Sequence, residues 1–556
     1  MRKRHNKVTF ETSRTYQAAS SLKMFCHARE RAVYWVFLAI IGSGCTRIHV
    51  NTELTPPRQF HELPTDSTAS TSRISADDPW WRSLSDPQLN EIVEGVFSEN
   101  LQLQQAAERV VQMRAVATQA GSQRWPTLSL DLGWSRTKQL NPFSRLSSGG
   151  GGSSGMTQPM QGGAGMAPTP AFPSSFTQDN FRASVAASYE VDLWGRIGSL
   201  TEAAELDASA SEADMKAMAI TLSASAVDLY LQVIEAQQRL KVLEQQLRDD
   251  EDMLKVVTAR FNQGLSPHIE VLQQVQQRDR TRSQTPPLKA LISSLKRRLA
   301  ALRGAPNLDQ LVIPDRFPEL PALPEIGLPA SVLSRRPDLW AAQARLSAAD
   351  ARVSAAVSAR LPGLRLNASG GYQSFELGEL FDDIIWSVAG SVVTPLFQGG
   401  RLRAEQKRAE SALRERLLAL KERYLSAYHE VEDALANEQS AVEQRRQTRA
   451  QLDSARALSE SAERRYLQGA GDFLVTLSAR QGLYASQLAL VSTERAALSA
   501  RVQLHRSLGG GWVNQVMRDA PAKGSDRSQD KTRRDSQAVT PTPAPSAESD
   551  AAAQIE

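Results

Sequence analysis

The sequence predicts a mainly helical chain with a small membrane β-sheet, built from two copies of one long helical hairpin. Three observations predict it. Two proline-free stretches, 196–261 and 401–466, carry Leu, Ala or Val at three-to-four spacing. Four shorter segments alternate apolar and polar residues with a period of two. The landmarks around these stretches recur in the same order in each half of the chain.

Composition agrees with extended helices and excludes several function classes. Of 556 residues 41% are hydrophobic and only 6% aromatic, which is lean for a compact enzyme core. The net charge of +4 is small, and no basic run is interleaved with aromatics, so no nucleic-acid partner is expected. Cys26 and Cys45 are the only cysteines, which leaves the body of the chain without a disulfide framework or a thiolate metal cluster. His268, His429 and His505 sit in helical segments with no accompanying acid, base or nucleophile, and no phosphate-binding loop occurs. Neither enzymatic activity nor a cofactor is expected.

The leader is 1–44. Its apolar run, 32–41, is too short to span a bilayer but has the length of a secretory signal core. Gly42-Ser43-Gly44-Cys45 follows and resembles a bacterial lipobox, which implies cleavage before Cys45 and its acylation, with Gly42 where the usual Leu would stand and Ile41 one place before it. Initiation at Met24 would give a conventional short n-region containing Arg29 and Arg31.

After an acylated extension, 45–85, the first repeat is expected at 86–304 and the second at 331–511. A proline-rich linker, 305–330, joins them, and 512–556 reads as a disordered tail. The interval from Gly195 to Gly264 equals that from Gly400 to Gly469, 69 positions in each case. Each stretch between these glycines makes a rod of roughly 100 Å at 1.5 Å per residue. Gly264 and Gly469 end the rods as C-cap glycines. Return helices follow at 267–303 and 473–508, with Ser266 capping the first ahead of Pro267 and Asp472 capping the second. They are little more than half as long as the rods, so something else must cover the remainder, which the helices 86–124 and 337–360 can supply by stacking on them end to end. Pro286-Pro287 is expected to kink or break the first return helix.

The strands come next. Leu128, Leu130, Leu132 and Trp134 oppose Thr127, Ser129, Asp131 and Ser135; Phe181, Ala183, Val185, Ala187, Tyr189 and Val191 oppose Arg182, Ser184, Ser188 and Glu190. Leu364, Leu366, Ala368 and Tyr372 repeat the pattern, and Trp386, Val388 and Val392 more weakly. Segments of about ten residues with aromatics toward their ends suit tilted transmembrane strands. Four strands in lipid would leave two unpaired edges, so the barrel must be shared between chains. The long insertion 138–180, rich in Gly, Ser, Pro and Met, is expected to be a disordered loop over the outer mouth. Met156, Met160 and Met166 lack a neighbouring His or Cys that would make them a copper site.

The motifs carry a specific resemblance. Trp80-Trp81 with Asp86-Pro87-Gln88-Leu89, Asp192-Leu193-Trp194-Gly195, Gly327-Leu328-Pro329-Ala330 with Arg335-Arg336-Pro337-Asp338, and Pro395-Leu396-Phe397-Gln398-Gly399-Gly400 resemble the TolC-like outer-membrane efflux factors of the NodT-type lipoprotein branch. The likeness runs from about 78 to 510. It implies a homotrimer with a shared twelve-stranded β-barrel and a periplasmic α-barrel, lipid-anchored through Cys45. It also implies two partners, a periplasmic adaptor and an inner-membrane pump, for which the chain is the passive exit duct. By the same likeness the tip gate would use Tyr466, Gly469, Asp472 and Phe473, and the adaptor would meet Phe261, Gly264 and Ser266 with them. Gly471, Val475 and Ser478 are not acidic, against the family's pattern of carboxylates. The rival reading is a lipid-anchored periplasmic adaptor or structural coiled-coil protein, which would lack the strands.

Overall fold

The structure, a computed structural model, describes residues 79–140, 175–306, 313–324 and 329–519. The leader, Cys45, the Met-containing part of the insertion and the chain after 519 lie outside them. Helices α1 (Pro87–Glu99) and α2 (Leu101–Ser122) lead to strands β1 (Thr127–Leu140) and β2 (Ser175–Val191), then to rod α3 (Arg196–Asn262) and return helix α4 (His268–Arg303). The short α5 (Pro329–Leu333) opens a second pass: α6 (Pro337–Ser358), β3 (Gly363–Ser374), β4 (Ile384–Val393), rod α7 (Arg401–Leu467), return helix α8 (Phe473–Leu508) and α9 (Trp512–Asp519).

Both rods are 67 residues long and begin after a left-handed glycine, Gly195 or Gly400. The small residues that make their helical pattern faint in hydropathy let neighbours come close. Ala203 on α3 packs with Ala348 and Ala351 on α6, and the ion pairs Arg345–Asp214 and Arg352–Asp207 hold the same two helices together. The expected helix at 86–124 is divided at Asn100. Its side chain accepts from Leu103 N and so starts a new helix, while its amide nitrogen donates to Leu302 O at the end of α4, 2.5 Å away. Gly304, at φ +88°, lies where any Cβ would come within 2.3 Å of Glu99 O. The second stack is joined differently. Arg336, ahead of α6, donates to Ser507 O near the end of α8 and to Asp338 and Glu430 at 2.8 and 2.6 Å. Each return helix is thus continued by the helix that precedes its repeat's strands.

At mid-height the helices enclose the main core, in which Ile92, Val96, Tyr230, Leu231, Ile234 and Leu299 are buried with Trp80, Trp81 and Trp512. One expected boundary is corrected here. Residues 512–519 are not a disordered tail: they form α9, and Trp512 is 1% exposed because it packs edge-on against Trp81 at 4.8 Å. Ile313, in the proline-rich segment between the repeats, joins the core. Pro286-Pro287 does not break α4, which runs on through both prolines.

The four strands form one antiparallel sheet in the order β1-β2-β3-β4. The strand pairing extends to Leu140↔Ser175, so the ends of the expected 138–180 loop are strand instead. Leu130 pairs with Val185, Val185 with Gly370 and Gly370 with Trp386, which lines the apolar positions of all four strands along one face.

Candidate functional site

Two features stand at opposite ends of the rods. At the sheet end, the apolar face is open: Leu128, Leu132, Trp386 and Val388 are each more than 70% exposed. The reverse face carries Ser129, Asp131, Ser184, Arg182, Asn367, Ser369 and Ser387, with Ser369 and Ser387 hydrogen-bonded at 2.9 Å. Among the described residues the outer edges of β1 and β4 have no partner strand. Apolar outside, polar inside and open at both edges describes a segment of a membrane barrel rather than half of a sandwich.

At the other end each rod reverses in the same way. Gly264 (φ +70°) donates to Phe261 O at 2.9 Å and Leu265 to Arg260 O at 2.9 Å; Gly469 (φ +76°) donates to Tyr466 O at 3.0 Å and Ala470 to Arg465 O at 2.9 Å. These are paired Schellman caps, which need the positive φ that glycine tolerates. The return helices start differently. Asp472 caps α8 by accepting from Leu474 N at 2.6 Å. Ser266 does not cap α4: Pro267 occupies the cap position, and Ser266 Oγ finds no hydrogen-bond partner among the described residues. The reason is local, because the residue adjoining the helix is Pro267, which has no side-chain acceptor.

The expected tip residues fall into two groups. Tyr466 and Phe473 are buried together, ring centroids 5.7 Å apart, in a small core with Met253 and Val257 of α3. Phe261, Gly264 and Gly469 stay at the exposed turns, Phe261 leaning on His268 at 5.1 Å. Two residues that sequence reasoning missed complete the cluster. Tyr466 OH donates to Glu270 Oε2 at 2.9 Å, and the Arg260 guanidinium lies 4.8 Å from the Tyr466 ring centroid. Burial and the neighbouring Glu270 carboxyl push the Tyr466 hydroxyl up to about 12, so it remains a donor throughout the physiological range. Glu270 sits in the first turn of α4, where an acid reads as an ordinary helix-dipole partner, and nothing in the sequence signals its reach across to the other repeat. Gly471 also has a structural reason: a Cβ there would stand 2.9 Å from Tyr466 N.

Among the described residues no group of three or more His, Cys, Asp or Glu could hold a metal ion.

A family model described as outer membrane efflux protein matches residues 95–305 and 328–510. The pyoverdine export outer membrane protein OpmQ of Pseudomonas putida is 32% identical over 447 residues, spanning 80% of this chain and 90% of its own. Its namesake from Pseudomonas aeruginosa is 30% identical over 477 residues, spanning 85% and 95%. Among solved structures the outer-membrane channel OprN aligns with a TM-score of 0.70 at 26% identity, over 83% of this chain and 98% of its own. With a barrel segment at one end and a paired helical turn at the other, the chain belongs to the outer membrane efflux protein family, as an exit channel of the outer membrane.

Proposed function

We propose that three copies of the chain close a twelve-stranded barrel above a helical tunnel, and that the contact of Tyr466 with Glu270 and Arg260 is the latch that keeps the tunnel tip shut. The observation that carries this is the open-edged sheet with its exposed apolar face, which only a closed oligomer in lipid satisfies. Tyr466 lies on rod α7, whereas Glu270 and Arg260 lie on the hairpin of the other repeat, so the latch spans the two hairpins that must part to widen a tip. A periplasmic adaptor touching Phe261, Gly264 and Ser266 would favour the parted state by binding it better. An inner-membrane pump supplies the energy, and the cargo passes through chemically unchanged. Acylated Cys45 adds an anchor in the outer-membrane lipid. Asp472, which caps α8, is proposed to face the pore mouth as well.

The test is planar-bilayer conductance of the purified full-length protein beside its mass in detergent, wild type against Tyr466→Phe. A trimer whose low conductance rises in the variant is expected. A monomer without conductance would overturn the duct, and an unchanged conductance in a trimer would remove the latch.

A further inference from the structure

Pro286-Pro287 stands inside α4 without contributing to the core, the sheet or the latch. A proline nitrogen cannot donate, so the carbonyls of Arg282 and Ser283 lose their helical partners at two successive rungs. Within a single chain, packing thins at the same place: from 282 to 294 no residue of α4 is buried, between Thr281 at 0% exposure and Leu295 at 4%, and only Leu288 and Ile292 pack partly against the core. The other repeat is built differently. Counted from the turn glycines, Pro286 and Pro287 correspond to Val491 and Ser492 on α8, and the matching stretch there buries Leu490, Val491, Thr493, Ala497 and Leu498.

Directly below the doublet lies a buried polar belt. Asp250 of α3 accepts from Thr281 Oγ1 at 2.8 Å, and Gln274 Nε2 donates to the Asp250 carbonyl at 2.9 Å. Gln277 completes it through Thr281 at 3.3 Å, and all four side chains are buried. Buried polar groups of this kind fix the register of two helices, because sliding would strand them without partners. Lower α3 and lower α4 therefore move as one piece. Two bonds continue the belt to α8: Gln481 donates to Gln277 at 2.7 Å, and Tyr484 donates to Asp249.

We infer that Pro286-Pro287 is the flexure on which the tip of the first hairpin tilts when the channel opens, an inference that rests on the tip being the gate. Two helices locked side by side at about 10 Å cannot bend together unless one changes length. A tilt of about 10° requires roughly 1.7 Å at that separation. Rod α3 is continuous, so the change falls on α4, at the two rungs that lack hydrogen bonds. The doublet stands 22 residues beyond Gly264, roughly 33 Å along the helix, so the same tilt carries the tip about 6 Å. That parts Glu270 from Tyr466, whereas the belt's links to α8 lie nearer the pivot and move less.

The experiment compares amide hydrogen exchange and bilayer conductance of the full-length protein with Pro286→Ala/Pro287→Ala, each with and without Tyr466→Phe. Wild-type amides in 282–291 are expected to exchange at least tenfold faster than those in 487–496, and the double alanine variant to remove that difference. The double substitution should also cut the conductance gain of Tyr466→Phe at least threefold. Equal protection of the two segments in the wild type would overturn the flexure, as would slowed exchange with an undiminished conductance gain. If Tyr466→Phe alone gives no gain, the latch is wrong, and the exchange comparison alone decides the flexure.

Discussion

Tyr466 and Glu270 are 196 positions apart in the chain, yet the hydroxyl of one donates to the carboxyl of the other across 2.9 Å, and this bond ties rod α7 to return helix α4. It joins the two repeats at the point farthest from the sheet that joins them again through β2 and β3. Phe473 packs against the Tyr466 ring, and the Arg260 guanidinium lies over it.

Tyr466→Phe removes the donor and keeps the packing. A hydrogen bond to a charged acceptor contributes about 1.5–3 kcal/mol, so open probability in planar bilayers should rise roughly tenfold or more. Thermal stability should fall by no more than that amount, because the ring still fills its place. A fall in stability with no rise in conductance would make the pair purely structural.

His505 predicts a pH dependence. It is buried against Trp80 at 5.2 Å, and burial, with Arg501 nearby, pulls its imidazole down to about 3. The unfolded chain takes up this proton near 6.5 and the folded chain does not until about 3, so stability is retained above 6.5 and lost as pH falls between these values. At pH 4.5 the loss amounts to about 2–3 kcal/mol at 1.36 kcal/mol per pH unit. His505→Gln should lose correspondingly less between pH 7 and 4.5 in thermal unfolding of the detergent-solubilised protein; parallel losses would assign the acid sensitivity elsewhere.

Asp86 holds two elements at once. Its carboxyl accepts from Gln88 N and Leu89 N at 3.0 and 3.2 Å to cap α1, and from Tyr230 OH of rod α3 at 2.6 Å. Asp86→Ala removes the cap and strands a buried hydroxyl, together about 2–4 kcal/mol. Asp86→Asn should recover most of it. Equal thermal midpoints for wild type and the alanine variant would contradict this account.

Gly371 lies where β3 meets β2, and a Cβ there would stand 2.3 Å from Ala183 O and 2.4 Å from Ser184 Cα. Gly371→Val should prevent the two repeats from joining in one sheet and abolish the heat-modifiable oligomer on a detergent gel. Gly133→Val is the control on the same sheet, since its nearest neighbour would be Asp131 Oδ1 at 3.8 Å. Assembly by the Gly371 variant would show that the sheet tolerates the intrusion.

The sequence by itself determined the repeat, the rods, the strands and the glycine turns, because each rests on local periodicity or on a backbone conformation that few residues adopt. Leu128 to Trp134 announce a strand face without reference to anything else in the chain. Tertiary structure alone decided what meets across the repeats. Glu270 looks like any acid in a first helical turn until Tyr466 arrives from the other repeat, and Trp512 looks like the start of a tail until Trp81 provides the surface that buries it. Pro286-Pro287 reads as a break from local rules, yet α4 continues because the belt below and the core above hold both halves on one axis. Periodicity reports which face of an element is apolar. Which element that face will meet depends on contacts hundreds of residues apart in the chain, and those exist only once the rods have packed.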